Sequence, residues 1–100
     1  MTATDRELLE RAAKAAGIEA LRLDAHPQHA SHWDPLADDG DALRLAVKLG
    51  LGVIQWGDEM VSATHATTNR EFSETYDADP FAATRRAIVR AAAAMAGEGE

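Results

Sequence analysis

The sequence predicts a single α+β domain in which helices pack on a small antiparallel sheet. Three observations support this: the chain has 100 residues, 46% of them are hydrophobic, and the apolar pattern changes between helical periodicity and strand-like alternation. Aromatic residues make up only 5% of the chain, so the core should consist mainly of small side chains. The predicted order of elements is α-β-α-β-β-β-α, with residues 1–100 forming one domain.

The first helix is predicted over residues 5 to 16. Thr4 and Glu7 have the spacing of a capping box, in which each side chain accepts a hydrogen bond from the other residue's backbone amide. An apolar stripe follows at helical spacing and Gly17 ends the helix. Residues 18 to 24 alternate and predict a short strand, whereas residues 25 to 35 carry two prolines and three histidines and predict a loop.

An acidic cluster surrounds the start of a second helix, predicted over residues 38 to 49. Its members are Asp34, Asp38, Asp39 and Asp41. A calcium-binding loop would need an acid five residues before Gly40 and a glutamate six residues after it, but proline and alanine occupy those positions. The free amides at a helix N-terminus favour carboxylates, so these acids are interpreted as helix-capping residues rather than as a metal or catalytic site.

A β-hairpin is predicted next. Residues 51 to 56 and 60 to 65 are rich in β-branched, apolar or aromatic side chains and flank a Gly57-Asp58 turn. Trp33 and Trp56 are interpreted as core or core-edge residues, because each indole offers a large apolar area to a core that has few large side chains.

A third strand and a long helix complete the predicted fold. If Phe72 and Tyr76 in residues 70 to 76 face the core, alternation also buries Glu74, which predicts a bulge or an edge position. An Asp-Pro pair then marks the start of a helix over residues 80 to 96. Its apolar stripe is predicted to contain Phe81, Thr84, Ile88, Ala91, Ala92 and Met95, and its arginines, Arg85, Arg86 and Arg90, are expected to pair with acids.

Composition excludes several classes of function. The chain lacks cysteine, which excludes disulfides, thiolate zinc sites and thiol nucleophiles. A net charge of −7 with ten lysines and arginines makes direct nucleic-acid binding unfavourable. The first residues do not show a basic segment followed by an apolar run, and no apolar run is long enough to cross a membrane, so a cytoplasmic protein that makes no membrane contact is expected.

The histidine-rich segment is the strongest candidate for a metal site. His26, His29 and His32 are spaced three apart and could converge on a zinc or nickel ion, with Asp24 as a fourth ligand or an orienting group. The nearby proline and the absence of an apolar framework favour a solvated loop instead. We therefore expect no metal and no cofactor, and keep a metal-dependent enzyme or binder as an alternative.

Two stretches resemble a known family. WDPLADDGDALRLAVKLGLGV (residues 33 to 53) and YDADPFAATRRAIVRAAAAMA (residues 76 to 96) are similar to the small phage and prophage proteins described as phage ABA-sandwich domain proteins. The resemblance implies an α-β-α layered sandwich and a phage accessory role. It implies no reaction and no catalytic residues.

The absence of a catalytic motif favours a non-enzymatic binding protein. We expect a small acidic phage protein that binds and blocks a host or phage protein, with inhibition of a bacterial defence complex such as CRISPR-Cas as the favoured form. Asp58, Glu59, Glu71 and Glu74 are the predicted partner-binding residues. A self-associating structural protein, such as a homodimer, is a further alternative.

Overall fold

The computed structural model describes residues 4–17, 33–65 and 69–98. Within these ranges it contains helices α1 (Asp5–Ala16), α2 (Asp39–Leu49) and α3 (Pro80–Glu98) and strands β1 (Leu51–Trp56), β2 (Met60–His65) and β3 (Glu71–Thr75). The α+β class and the order of these six elements agree with the sequence prediction. The predicted strand over residues 18 to 24 and most of the loop that follows it lie outside the described residues.

The three strands form an antiparallel sheet in the order β1-β2-β3. Val53, Ala63 and Phe72 stand opposite one another across the strands and belong to, or pack against, a core cluster on the helix side. Because successive side chains of a strand alternate between faces, Ile54 and Ser62 point to the other face. The register is regular from residue 71 to residue 75, so β3 has the predicted edge position without a bulge.

Helix α3 lies at the centre of the molecule, with the sheet on one side and helices α1 and α2 on the other. Alanines one helical turn apart face the sheet: Ala83, Ala87 and Ala91. Ile88, Val89 and Ala92 contact the opposite cluster, which contains Leu45 of α2. Among the described residues, all three helices cover the same face of the sheet, and its other face is called the outer face below.

The predicted apolar stripe of α3 is wrong at one residue, which is exposed instead of buried. Ile88, Ala91 and Ala92 are buried and Thr84 and Met95 are half-buried, but 67% of Phe81 is exposed. Phe81 lies in the first turn of α3, at the mouth of a cleft between α2, α3 and β1. Helical spacing predicts which residues share the apolar face of a helix. It does not predict how far along the helix the neighbouring elements cover that face.

The N-terminus of α1 has the predicted capping box. The Glu7 amide donates to the Thr4 hydroxyl over 3.1 Å and the Thr4 amide donates to the Glu7 carboxylate over 2.8 Å. The bond from the Thr4 amide is the main reason why the pKa of Glu7 lies below its ordinary value of 4.5. At the other end of α1, Gly17 has φ 71°, in the left-handed region that glycine adopts readily.

In the part of the chain that the structure describes, no helix combines the length and the apolar character needed to cross a membrane.

Candidate functional site

The acidic cluster at the start of α2 forms a hydrogen-bonded cap. Asp38 is the N-cap, and its carboxylate accepts from the Asp41 amide over 2.8 Å. The Asp41 carboxylate is itself nearly buried; it accepts from the Asp34 amide over 2.8 Å and from the Arg44 guanidinium over 2.7 Å. Asp41 therefore joins the segment before α2 to the first turn of that helix.

The two remaining acids of this cluster also have structural partners. The Asp34 carboxylate accepts from the Leu36 amide over 3.1 Å, which closes a local turn. The Asp39 carboxylate pairs with Arg85 of α3 over 2.6 Å. The predicted helix cap is confirmed at Asp38, with Asp39 and Asp41 in the first turn of α2, whereas Asp34 closes a turn before the helix.

The predicted histidine site lies outside the described residues, as do His26, His29, His32 and Asp24. Within residues 4–17, 33–65 and 69–98, no group of three or more histidine, aspartate or glutamate side chains is arranged to hold a metal ion.

The three arginines of α3 pair with acids, as predicted, and each pair joins α3 to a different element. Arg85 reaches the start of α2, where it pairs with Asp39 and also donates to the Leu36 carbonyl over 2.8 Å. Arg86 pairs with Asp5 of α1 over 2.6 Å, and Arg90 pairs with Glu74 of β3 over 2.5 Å. Only 17% of the Arg85 side chain is exposed, so this arginine is half-buried rather than solvated.

The four predicted partner-binding acids do not form one cluster. Asp58 and Glu59 are exposed in the turn between β1 and β2, whereas Glu71 lies opposite Thr64 at the far end of the sheet. Glu74 lies opposite Val61 on the helix-facing side, and its carboxylate is occupied by Arg90. Glu74 therefore has an ion-pair partner within the chain, and its role in binding another protein stays a prediction.

The outer face of the sheet carries an aromatic and aliphatic surface. Ile54 and Trp56 are 46% and 50% exposed, and Met60, which stands opposite Trp56, is half-buried. The Trp56 indole N–H donates to the hydroxyl of buried Ser62 over 2.9 Å, which fixes the ring on this face. The interpretation of Trp56 as a core residue is thus wrong, whereas Trp33 is half-buried and packs against the core at its edge, as predicted.

Acidic groups border the outer face. Asp58 and Glu59 lie at the turn end of the face and Glu71 at the opposite end. The sequence has no lysine or arginine in residues 51–65 or 71–79. The exposed apolar centre and its acidic ends, which we call the outer-face patch, consist of Ile54, Trp56, Met60, Asp58, Glu59 and Glu71.

A second candidate surface is a cleft of about 490 Å³ between α2, α3 and the helix-facing side of β1. Leu43 and Phe81, which are 64% and 67% exposed, line it together with Val53 and Ile88. The polar groups at its edge are occupied within the chain, because the Gln55 amide donates to Thr84 and accepts from the Tyr76 hydroxyl. The cleft therefore offers an apolar surface and no convergent reactive groups.

Comparisons with protein-family models, with curated proteins and with solved structures find no match. The resemblance to phage ABA-sandwich proteins accordingly stays a prediction.

The sequence of β1 contains a signal for the outer-face patch. Strand β1 reads LGVIQW, with Leu51 and Val53 at odd positions and Ile54 and Trp56 at even positions. In a sheet covered on one side, alternation should leave one of these sets polar. Apolar residues in both sets indicate that the outer face also contacts another surface.

Proposed function

We propose that this chain is a non-enzymatic phage accessory protein that binds a basic surface of another protein through its outer-face patch and thereby blocks that surface. The observation that carries the proposal is an exposed, fixed tryptophan on a sheet face with acids at both ends and no base along its strands. The proposed partner is a bacterial defence complex in the host cytoplasm.

The apolar centre of the patch supports a protein partner. Partly exposed tryptophans are enriched among residues that dominate binding energy, because they bury a large area and lose few rotamers. The hydrogen bond from Trp56 to Ser62 already restricts the indole, so docking has less side-chain entropy to remove.

The acidic ends of the patch support a basic partner. Charge complementarity raises the rate of association and excludes partners of the same sign. CRISPR effectors hold nucleic acid in positively charged channels, and a protein of net charge −7 can compete for such a channel. Within this class, the proposed action is competition with nucleic acid.

A pair of charge reversals tests the site. Glu59→Lys changes an exposed acid at the end of the patch, whereas Glu10→Lys makes the same change of charge on α1, where Glu10 pairs with Arg6 on the exposed surface. We expect wild type to inhibit target-DNA binding by a purified effector complex, Glu59→Lys to lose most of that inhibition, and Glu10→Lys to retain it. The measurement is fluorescence anisotropy of labelled DNA at increasing salt, because the contact should weaken as salt rises.

Two results would contradict the proposal. Equal losses for Glu59→Lys and Glu10→Lys would mean that net charge acts without a defined site. No inhibition by wild type in a panel of effector complexes would remove the defence-complex partner. Matching thermal midpoints for the three proteins would confirm that folding is unchanged.

A further inference from the structure

In the part of the chain that the structure describes, strand β1 has an unpaired edge that is well suited to pairing with another strand. It pairs with β2 on one side, and no strand among residues 4–17, 33–65 and 69–98 pairs with its other side. Its six residues include no charged side chain and no proline, and four of them are exposed. Proteins usually protect such an edge with a charge, a proline, a bulge or a cover.

The geometry points to a second copy of this chain as the occupant of that edge: we propose a twofold dimer in which the β1 strands pair antiparallel, with Ile54 opposite Ile54 of the other copy. A twofold axis perpendicular to the sheet joins the outer faces of the two copies into one continuous face. Side chains that stand opposite each other must point to the same face, so even-numbered residues pair with even-numbered residues and odd with odd. Centring on Ile54 then places Gly52 opposite Trp56 and Val53 opposite Gln55.

Gly52 is the detail that favours this register. Its φ is not positive, and among the described residues a Cβ atom added there would come within 4 Å of the Thr64 carbonyl oxygen alone, at 3.8 Å, an ordinary contact. The described part of a single copy therefore gives no reason for glycine at the second position of β1, where glycine weakens a strand. In the proposed dimer, Gly52 leaves room for the large side chain of Trp56 on the neighbouring strand.

Charge also favours a second copy at this edge. Two chains that each carry −7 repel one another over most of their surfaces, but β1 contributes no charge to the contact. In the same register, the Asp58 turn of one copy lies beside Gly50 of the other, next to exposed Lys48 in the last turn of α2. Opposite charges therefore meet at both ends of the paired strands.

The exposed side of α2 supplies additional apolar surface. Leu43 and Val47 are 64% and 72% exposed and lie one turn apart, and Leu43 lines the cleft next to β1. Pairing of the β1 strands brings the two α2 helices close to each other, with these side chains between them. The dimer shares Ile54, Trp56 and Asp58 with the outer-face patch, but its test needs no other protein, so failure of the dimer can be distinguished from failure of the proposed function.

Engineered cysteines test this register in a chain that has no cysteine of its own. Ile54→Cys should cross-link to its counterpart under mild oxidation, because residues directly opposite in antiparallel strands have Cα atoms within disulfide range. Ser73→Cys is the matched control, since Ser73 lies on the same outer face on exposed β3 and should stay monomeric. Gly52→Cys and Trp56→Cys should each fail alone and cross-link to each other when mixed.

Sedimentation velocity of the unmodified chain completes the test. Wild type should show a sedimentation coefficient that rises with concentration, and Ile54→Lys should weaken association by about tenfold or more, because two lysines would then stand opposite each other at the axis. Equal cross-linking of Ile54→Cys and Ser73→Cys would overturn the proposal. A wild-type sedimentation coefficient that equals the monomer value at every concentration would overturn it as well. If Ile54→Lys does not fold, the cysteine pairs still decide the question.

Discussion

Replacing Asp41 by alanine should destabilise the fold, although this residue looks like one of several surface acids in the sequence. Its side chain is 11% exposed, and its carboxylate accepts from the Asp34 amide over 2.8 Å and from Arg44 over 2.7 Å. Removing it leaves the part-buried Asp34 amide without this partner, at a cost of about 1 to 3 kcal/mol. The Arg44 side chain is 73% exposed, so its pair adds less than about 1 kcal/mol.

We therefore expect Asp41→Ala to lower the free energy of unfolding by about 2 kcal/mol, which corresponds to about 10 °C in Tm for a domain of this size. Urea unfolding followed by far-ultraviolet circular dichroism measures the free energy. Asp58→Ala is the matched control, because Asp58 is an exposed acid in a turn, and it should stay within about 0.5 kcal/mol of wild type. Arg44→Ala separates the ion pair from the amide bond.

Equal stability of Asp41→Ala and Asp58→Ala would contradict this prediction. That result would mean that the Asp34 amide finds water or another acceptor at no cost. It would also reopen the alternative that the acidic cluster is a metal or catalytic site.

Three further predictions concern the core and the helix cap. Leu45→Ala should cost about 3 kcal/mol in urea unfolding, since Leu45 is 2% exposed and alanine leaves a cavity between α2 and α3. Phe81→Ser should change the same quantity by less than about 0.5 kcal/mol, because Phe81 is 67% exposed; a cost like that of Leu45→Ala would restore it to the core. The pKa of Glu7 is lower in the folded state, so its stabilising contribution is present above its unfolded pKa and is lost as pH falls through the folded value. Glu7→Gln should therefore show a smaller fall in urea midpoint than wild type between pH 7 and acidic pH, and parallel curves would contradict the capping box as the cause.

Local chemistry determined most of the elements that the structure describes. Hydrophobic periodicity predicted α1, α2 and α3, and strand-like composition around the Gly57 turn predicted the hairpin. The caps at Thr4, Asp38 and Gly50 depend only on neighbouring residues, because a helix end satisfies its free amides and carbonyls with groups a few positions away. Such contacts can be deduced from spacing alone.

Tertiary structure decided which surfaces remain open. Phe81 and Trp56 were expected in the core and are exposed, whereas Glu74, expected at a partner, pairs with Arg90. Each outcome depends on which element lies opposite the residue, and sequence spacing carries no information about that element. The same limit applies to the outer-face patch and to the edge of β1 that no described strand pairs with. The sequence determined their residues, whereas the order of the strands and the packing of the helices on one face determined that these residues are accessible.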